Sequence, residues 1–350
     1  MIAALIKVNG QLFRGWSAIR ITRSLEQVAS SFSFTVTDKI GGAASMIPIK
    51  AGDMCQVQVD DGTPWGGDTL LAGFVDDRSV NYDAESHGVT LVGRSFTGQL
   101  VDCSAKVQQL NQQTLHQIAG TLCEPFKVGV IAEANVGKPF EKVVIEPGQS
   151  VFDVLSSLAV QRGVLLTCDE AGSLLLATAS DFPSRGEIIY GENILACNLT
   201  DSIRDRYSAY TALNQTGQSD TNYGESATQI KATSVDKNIT SHRPLTLYAE
   251  DGVDVQKKAD FERNVRAGRA GSITYTVDDW YADGDFLWQP NTIVKVTDPL
   301  QYPALDKHPM LISAVSFLQD DQGTRTELTV VEPSAYDVLA VPEKAAGATW

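Results

Sequence analysis

The sequence predicts a mainly β protein with an α/β insertion, the α+β class, in a chain of 350 residues. Three observations carry this reading. Segments of the first hundred residues alternate apolar and polar with a period of two, as half-buried strands do. Helical spacing replaces the alternation between about residues 111 and 163, and the alternation returns beyond residue 203. The chain is too long for one ordinary core, so two or three domains are expected.

In chain order, residues 2–8 run into Asn9-Gly10, a hairpin signal. Residues 18–23 alternate, with Ile19 and Ile21 on one face and Arg20 and Thr22 on the other. Within residues 31–37, Phe32, Phe34 and Val36 face a core while hydroxyls face out. Cys55, Val57 and Val59 share one face of residues 54–60, and strands at 70–75 and 88–92 complete a set that fits a small barrel or sandwich.

Asn111 then reads as the cap of a helix bearing Leu115, Ile118, Ala119 and Leu122. A second helix opens at Ser150, whose hydroxyl forms a capping box with Asp153. Val151, Val154, Leu155, Leu158 and Ala159 make its buried stripe, and Gly163 ends it. Residues 164–168 and 173–177 flank a turn at 170–172, closing a compact α/β unit over about residues 101–185. Strands return at 207–214 and 228–234 around a polar, Gly-rich loop at 216–227 that reads as mobile, and again at 245–248. Residues 253–270 are the longest helical candidate, followed by strands at 273–277, 292–297, 310–317 and 324–331. Residues 340–350 read as an unpacked tail. The series at Phe32-Phe34-Val36, Val57-Val59, Phe74-Val75 and Val89-Leu91 has a counterpart at Ile273-Tyr275-Val277, Val294-Val296, Leu311-Ile312 and Leu328-Val330, a faint internal duplication.

Composition narrows the functional classes. Lys plus Arg number 28 against 43 Asp plus Glu, a formal charge of −15, which is a poor basis for gripping phosphates. No stable nucleic-acid partner is therefore expected. The opening residues lack a basic leader and a small-residue cleavage site, and no apolar run reaches the length of a membrane span, about 20 residues. The chain is expected to be made and kept in a cytoplasm. Cys55, Cys103, Cys123, Cys168 and Cys197 show no CxxC spacing and read as buried small hydrophobes, with no zinc site or disulfide framework.

Catalytic signals are sparse. Ser86 and His87 follow Asp83 and Glu85, but local adjacency does not supply a triad, and the segment reads as a polar hairpin tip. The acidic pairs Asp60-Asp61, Asp76-Asp77, Asp278-Asp279 and Asp320-Asp321 sit where Asp is a good turn residue. The run at 279–290 fails as a calcium loop because its third and twelfth positions are Tyr281 and Pro290. No cofactor, metal or catalytic residue is expected. Lys257, Lys258, Arg263, Arg266 and Arg269 form a basic island in an acidic chain. It reads either as a solvated helix face, with Asp254 supporting Lys258 at i,i+4, or as a docking face for an acidic neighbouring subunit.

Several phrases together resemble the central hub protein of contractile phage tail baseplates, of the Mu-like type. They are LAGFVDD at 71–77, VNYDAESH at 80–87 and VGRSFTGQLVDCS at 92–104. IEPGQSVFD at 145–153, RPL at 243–245, and Trp280 followed by LWQPN at 287–291 complete the set. The resemblance runs in order over about residues 2–338 and extends to the hub part of type VI secretion spike proteins. It implies a non-enzymatic homotrimer in which each subunit carries two similar small β-barrels plus an inserted α/β domain. Three subunits then present six barrels in a ring, joining a six-fold tail tube to a three-fold central spike. The domains expected are a first barrel from 1–100 with 203–238, an insertion at 101–202, a second barrel with a helix at 239–338, and a tail at 339–350. The implied partners are a second and third copy of the chain, the tail tube protein, the central spike protein and other baseplate proteins. The implied location is the virion tail baseplate, assembled in the host cytoplasm, and any genome channel is expected to have an acidic or neutral wall. Two other classes compete. A glycan- or peptidoglycan-binding module matches the 146–151 phrase, but needs a second helix where residues 164–166 read as a strand. A tail-associated cell-wall hydrolase would need a cleft with an acid of shifted pKa and a partner group.

Overall fold

The computed structural model describes residues 3–38, 48–63, 65–82, 87–179, 182–214, 230–249, 254–337 and 339. The loop expected at 216–227, the hairpin tip at 83–86 and the tail at 340–350 lie outside the described residues.

The first seven strands are β1 (Ala3–Val8), β2 (Gln11–Phe13), β3 (Ala18–Ser24), β4 (Ser31–Asp38), β5 (Met54–Asp60), β6 (Thr69–Tyr82) and β7 (His87–Ser95). They pair in the order β3-β4-β7-β6-β5-β1-β2, and every ladder is antiparallel. The period-two pattern puts Ile19, Ile21, Phe32, Phe34, Val57 and Leu91 on the inner face, each at most 3% exposed. Trp16 and Phe34 meet edge to face at 5.1 Å. Gly93 marks a close approach: a Cβ there would overlap the Phe74 carbonyl oxygen and the Phe32 ring.

An α/β unit follows, with α1 (Gly98–Asp102), β8 (Gln109–Gln113), α2 (Leu115–Cys123), β9 (Val130–Ala132), β10 (Phe140–Val144), α3 (Val151–Arg162), β11 (Leu165–Cys168) and β12 (Leu174–Ala177). Its separate core holds Leu115, Ile118, Leu122, Val151, Leu155 and Leu158. The Ser150–Asp153 capping box forms as read, with reciprocal bonds of 3.0 and 3.1 Å, and Gly163 takes φ +64° to end α3. Asn111 is not the cap of α2. It lies in β8 opposite Lys142, and Thr114 caps the helix through a box with Gln117. The signal was present as Thr-x-x-Gln, but ladder pairing claimed the residues before it.

The second β region comprises β13 (Pro183–Ile189), β14 (Ile194–Asp201), β15 (Ala209–Asn214), β16 (Ile230–Val235), β17 (Pro244–Tyr248), α4 (Val255–Arg269), β18 (Gly271–Val277), β19 (Ile293–Asp298), β20 (Leu305–Asp320) and β21 (Gly323–Val331). A short 3₁₀ turn, Pro333–Tyr336, closes the described chain. Six of these strands pair in the order β14-β18-β21-β20-β19-β13, and β20 also pairs with β3, so both halves share one 13-stranded sheet. Their cores are continuous. Trp280 and Phe317 pack at 5.6 Å in the same apolar cluster as Phe32 and Phe34, and Trp280 Nε1 donates to the carbonyls of Leu318 and Arg325.

Three expectations change here. Residues 209–214 and 230–235 do not complete the sheet of residues 1–100. They pair with each other and with β17 in a separate three-stranded sheet, on which α4 packs. Alternation predicts a strand but not its neighbour, and here the cover of α4 over Tyr210 and Ala212, both fully buried, decided it. The insertion ends before β13, because residues 183–201 pair with β19 and β18 rather than with the α/β unit. Among the described residues the ladders close neither half into a barrel.

Candidate interaction surfaces

The basic island lies on α4, and the sheet under that helix explains how its charges are spent. Asp254 caps the helix by accepting from the Lys257 amide at 2.9 Å, so it does not pair with Lys258 as the i,i+4 spacing implied. Lys258 and Arg266 instead converge on Glu262, at 3.3 and 3.0 Å. Arg263 donates to Asn264 Oδ1 and lies 3.7 Å from Asp260. Arg269 donates to the Ala335 carbonyl at 3.0 Å beside the Tyr336 ring, where Gly268 lets the helix meet the 3₁₀ turn. Only Lys257 of the five is exposed with no such bond from its ammonium group among the described residues. Four of the cations thus serve the fold of this unit first.

The connection entering the three-stranded sheet is clamped from several sides. Arg206 binds Asp236 through Nε and Nη2, at 2.6 and 3.3 Å, with the Asp236 side chain 5% exposed. Burial pushes that carboxyl up, yet the Arg206 bonds and the Asn238 amide hold it below the ordinary carboxylate range. Arg243 donates to the carbonyls of Arg204 and Arg206, and it flanks the Tyr207 ring together with Arg266. No sequence pattern pointed to this clamp, since Arg206 and Asp236 are 30 residues apart.

The acidic pairs are turns and ion-pair partners. Asp60 binds Arg14, Asp61 accepts from Thr63, Asp76 and Asp102 both bind Arg94, and Asp320 binds Arg325. Asp283 accepts from the amides of Asp285 and Phe286, closing a turn. Among the described residues no group of three His, Cys, Asp or Glu side chains could hold a metal. Burial pushes the Cys55 and Cys123 thiols up to about 12, so both are inert as nucleophiles at neutral pH. No described helix is long and apolar enough to cross a membrane.

A cleft of about 810 Å³ opens where the two halves and the insertion meet, lined by Lys7, Arg23, Met54, Phe96, Glu170 and Phe286 among others. Arg23, nearly buried, reaches Glu170 at 3.1 Å and ties the insertion to β3. Gly172 sits so close to Ala72 and Phe96 that a side chain there would collide. The cleft lies at a junction between units. α3 leads at Gly163 into β11, as the strand expected at 164–166 required, so the second helix of a glycan-binding module is not found at that point.

A different feature was missed at the sequence level. β14 is an edge strand with seven of its eight residues exposed, Leu195 and Leu199 among them at 60% and 47%. The signal available was the absence of Lys and Pro from ILACNLTD, because edge strands ordinarily carry such residues to block pairing.

Comparison with known proteins covers almost the whole chain. Three family models match: the N-terminal domain of the Mu phage baseplate assembly protein GpP-like family at residues 3–95, the second domain of the gp44-like baseplate hub family at 97–178, and the fourth domain of Mu phage GpP at 252–339. The baseplate hub protein gp44 of Escherichia phage Mu is 28% identical over 338 residues, 93% of this chain and 86% of that protein. The crystal structure of the prophage MuSo2 43 kDa tail protein from Shewanella oneidensis is 35% identical, with a TM-score of 0.83 over 96% of this chain and all of that one. The tail protein from Neisseria meningitidis MC58, 23% identical, shares the fold at a TM-score of 0.77, over 98% of this chain and 99% of that one.

Proposed function

Because the chain belongs to the baseplate hub family of Mu-like phages, we propose that it is the structural hub subunit of a contractile tail baseplate, a homotrimer whose ring joins the tail tube to the central spike. The observation that carries this beyond the family name is the repeated strand order. β3-β4-β7-β6-β5 and β14-β18-β21-β20-β19 are one antiparallel order used twice, with β1 added antiparallel beyond one and β13 parallel beyond the other, so three chains supply six similar units. That count matches a six-fold tube to a three-fold spike without a second protein. The role is one of assembly and of passage for the genome rather than of catalysis, in line with the structural names its relatives carry. The domain scheme we propose is a first β unit over 1–95, an insertion over 97–178, and a second β unit from 183 onward with the α4 sheet attached. The exposed end of the α4 island at Lys257 is the part we place against an acidic partner surface.

Light scattering on the purified chain tests the reading. A mass three times that of one chain, 37.8 kDa, is expected at high concentration. A monomer under those conditions, and no chain at the baseplate centre when purified virions are imaged, would overturn it.

A further inference from the structure

The join between the two halves of one chain has its equivalent in two strand edges that carry no neighbouring strand among the described residues. The halves correspond to each other through their ladder registers. A bulge interrupts β6–β7 between Val75 and Asp77, and another interrupts β20–β21 between Ile312 and Ala314. Val75 exchanges backbone bonds with Gly52 and Asp53, as Ile312 does with Asn291 and Thr292, all at 2.7–3.0 Å. Val75 therefore corresponds to Ile312, and Asp77 to Ala314. Following the ladders outward, Asp77 faces Val92, Val92 faces Ser33 and Ser33 faces Arg20. Likewise Ala314 faces Thr329, Thr329 faces Thr274 and Thr274 faces Asn198. Arg20 thus corresponds to Asn198, and AIRITRS at 18–24 falls on ACNLTDS at 196–202, with alanine, threonine and serine shared.

Within the chain, β3 pairs antiparallel with Ala314–Gln319 of β20. The counterpart of β3 is β14, and the counterpart of that stretch is residues 77–82 of β6. Neither has a strand on its outer edge among the described residues, and five of the six β6 residues are exposed. We propose that β14 of one copy pairs with residues 77–82 of β6 of the next, in the register that β3 and β20 use inside each chain. This rests on the ring reading above and names its subunit contact.

The side chains that this register opposes are complementary. Arg23 opposite Val315 becomes Asp201 opposite Arg78, two exposed opposite charges with no ion pair of their own among the described residues. Thr22 opposite Ser316, whose hydroxyls lie 3.0 Å apart, becomes Thr200 opposite Ser79. Ile21 opposite Phe317 becomes Leu199 opposite Val80, an apolar pair again. Two copies of a chain with charge −15 repel, so their contact belongs where the one acid of β14, Asp201, meets Arg78; Asp77, the acid of the β6 edge, faces Ser202 in this register. The contact is head-to-tail between unlike edges, the kind that repeats around a ring.

Disulfide trapping and charge exchange test this on the full chain. The register sets Tyr82 opposite Cys197, so Tyr82→Cys with the native Cys197 should link neighbouring copies under mild oxidant, up to three chains. Adding Cys197→Ser should abolish the product. Ser79→Cys with Thr200→Cys provides a second pair. Arg78→Asp should raise the concentration for half-assembly by about tenfold, because it opposes like charges across the strands, and Arg78→Asp with Asp201→Arg should restore it. If the wild type has the mass of three chains but neither cysteine pair links and the charge variants assemble normally, the edge assignment is overturned while the ring stands. A monomeric wild type overturns both.

Discussion

Arg206→Ala tests whether the buried clamp holds the α4 sheet together. The wild-type pair makes two bonds, at 2.6 and 3.3 Å, to a carboxylate whose side chain is 5% exposed. Removing the guanidinium leaves that carboxylate with the Asn238 amide at 3.0 Å as its donor. Breaking one side of a buried pair costs about 3–5 kcal/mol, and the surviving amide bond puts the expected loss at about 3 kcal/mol. The pH dependence follows from the direction of the shift. In the wild type the Asp236 carboxyl is held below its ordinary value, so its contribution is complete above the unfolded-state pKa, about 3.9, and is lost as pH falls through the lower folded value. In the variant burial acts with less opposition and the folded pKa rises, so the penalty shrinks as Asp236 takes up a proton on acidification. Hydrogen exchange of the β15 and β16 amides at pH 7 and pH 4 reads the local opening free energy. Protection equal to wild type at pH 7, or a loss of the same size at both pH values, would refute the reasoning.

Two further outcomes are expected. Gly93→Ala should destabilise the first β unit by about 3 kcal/mol or prevent its folding, because the new Cβ overlaps the Phe74 carbonyl and the Phe32 ring; chemical denaturation against the wild type measures it, and a loss under about 1 kcal/mol would show that the β6–β7 ladder can shift. Duplex DNA should not bind detectably even at low salt, where electrostatic affinity is greatest, given a charge of −15 on each chain; salt-sensitive binding in a fluorescence titration would show that the α4 cations reach a phosphate backbone.

The sequence alone determined the elements and much of what they mean. Period-two runs such as 31–37 marked strands because alternate side chains must face one core, and Ser150 with Asp153 marked a helix start because its orphan amides need acceptors. The phrases at 71–104, 145–153, 243–245 and 287–291, with Trp280, together pointed to the hub family, and family models then matched at 3–95, 97–178 and 252–339. These are local properties, written within a few turns of chain. Tertiary structure decided the partnerships. Alternation says that residues 209–214 form a strand, but only packing under α4 decided that they join β16 and β17 rather than the sheet of β1–β7. The spacing of the cations at 257–269 does not show that the fold brings Glu262, Asp260 and the Ala335 carbonyl to Lys258, Arg263, Arg266 and Arg269. The same holds for the edges of β14 and β6. A strand's hydrogen-bonding groups are identical at every residue, so which of them stay unpaired is a property of neighbours distant in sequence, and only the assembled sheet reveals it.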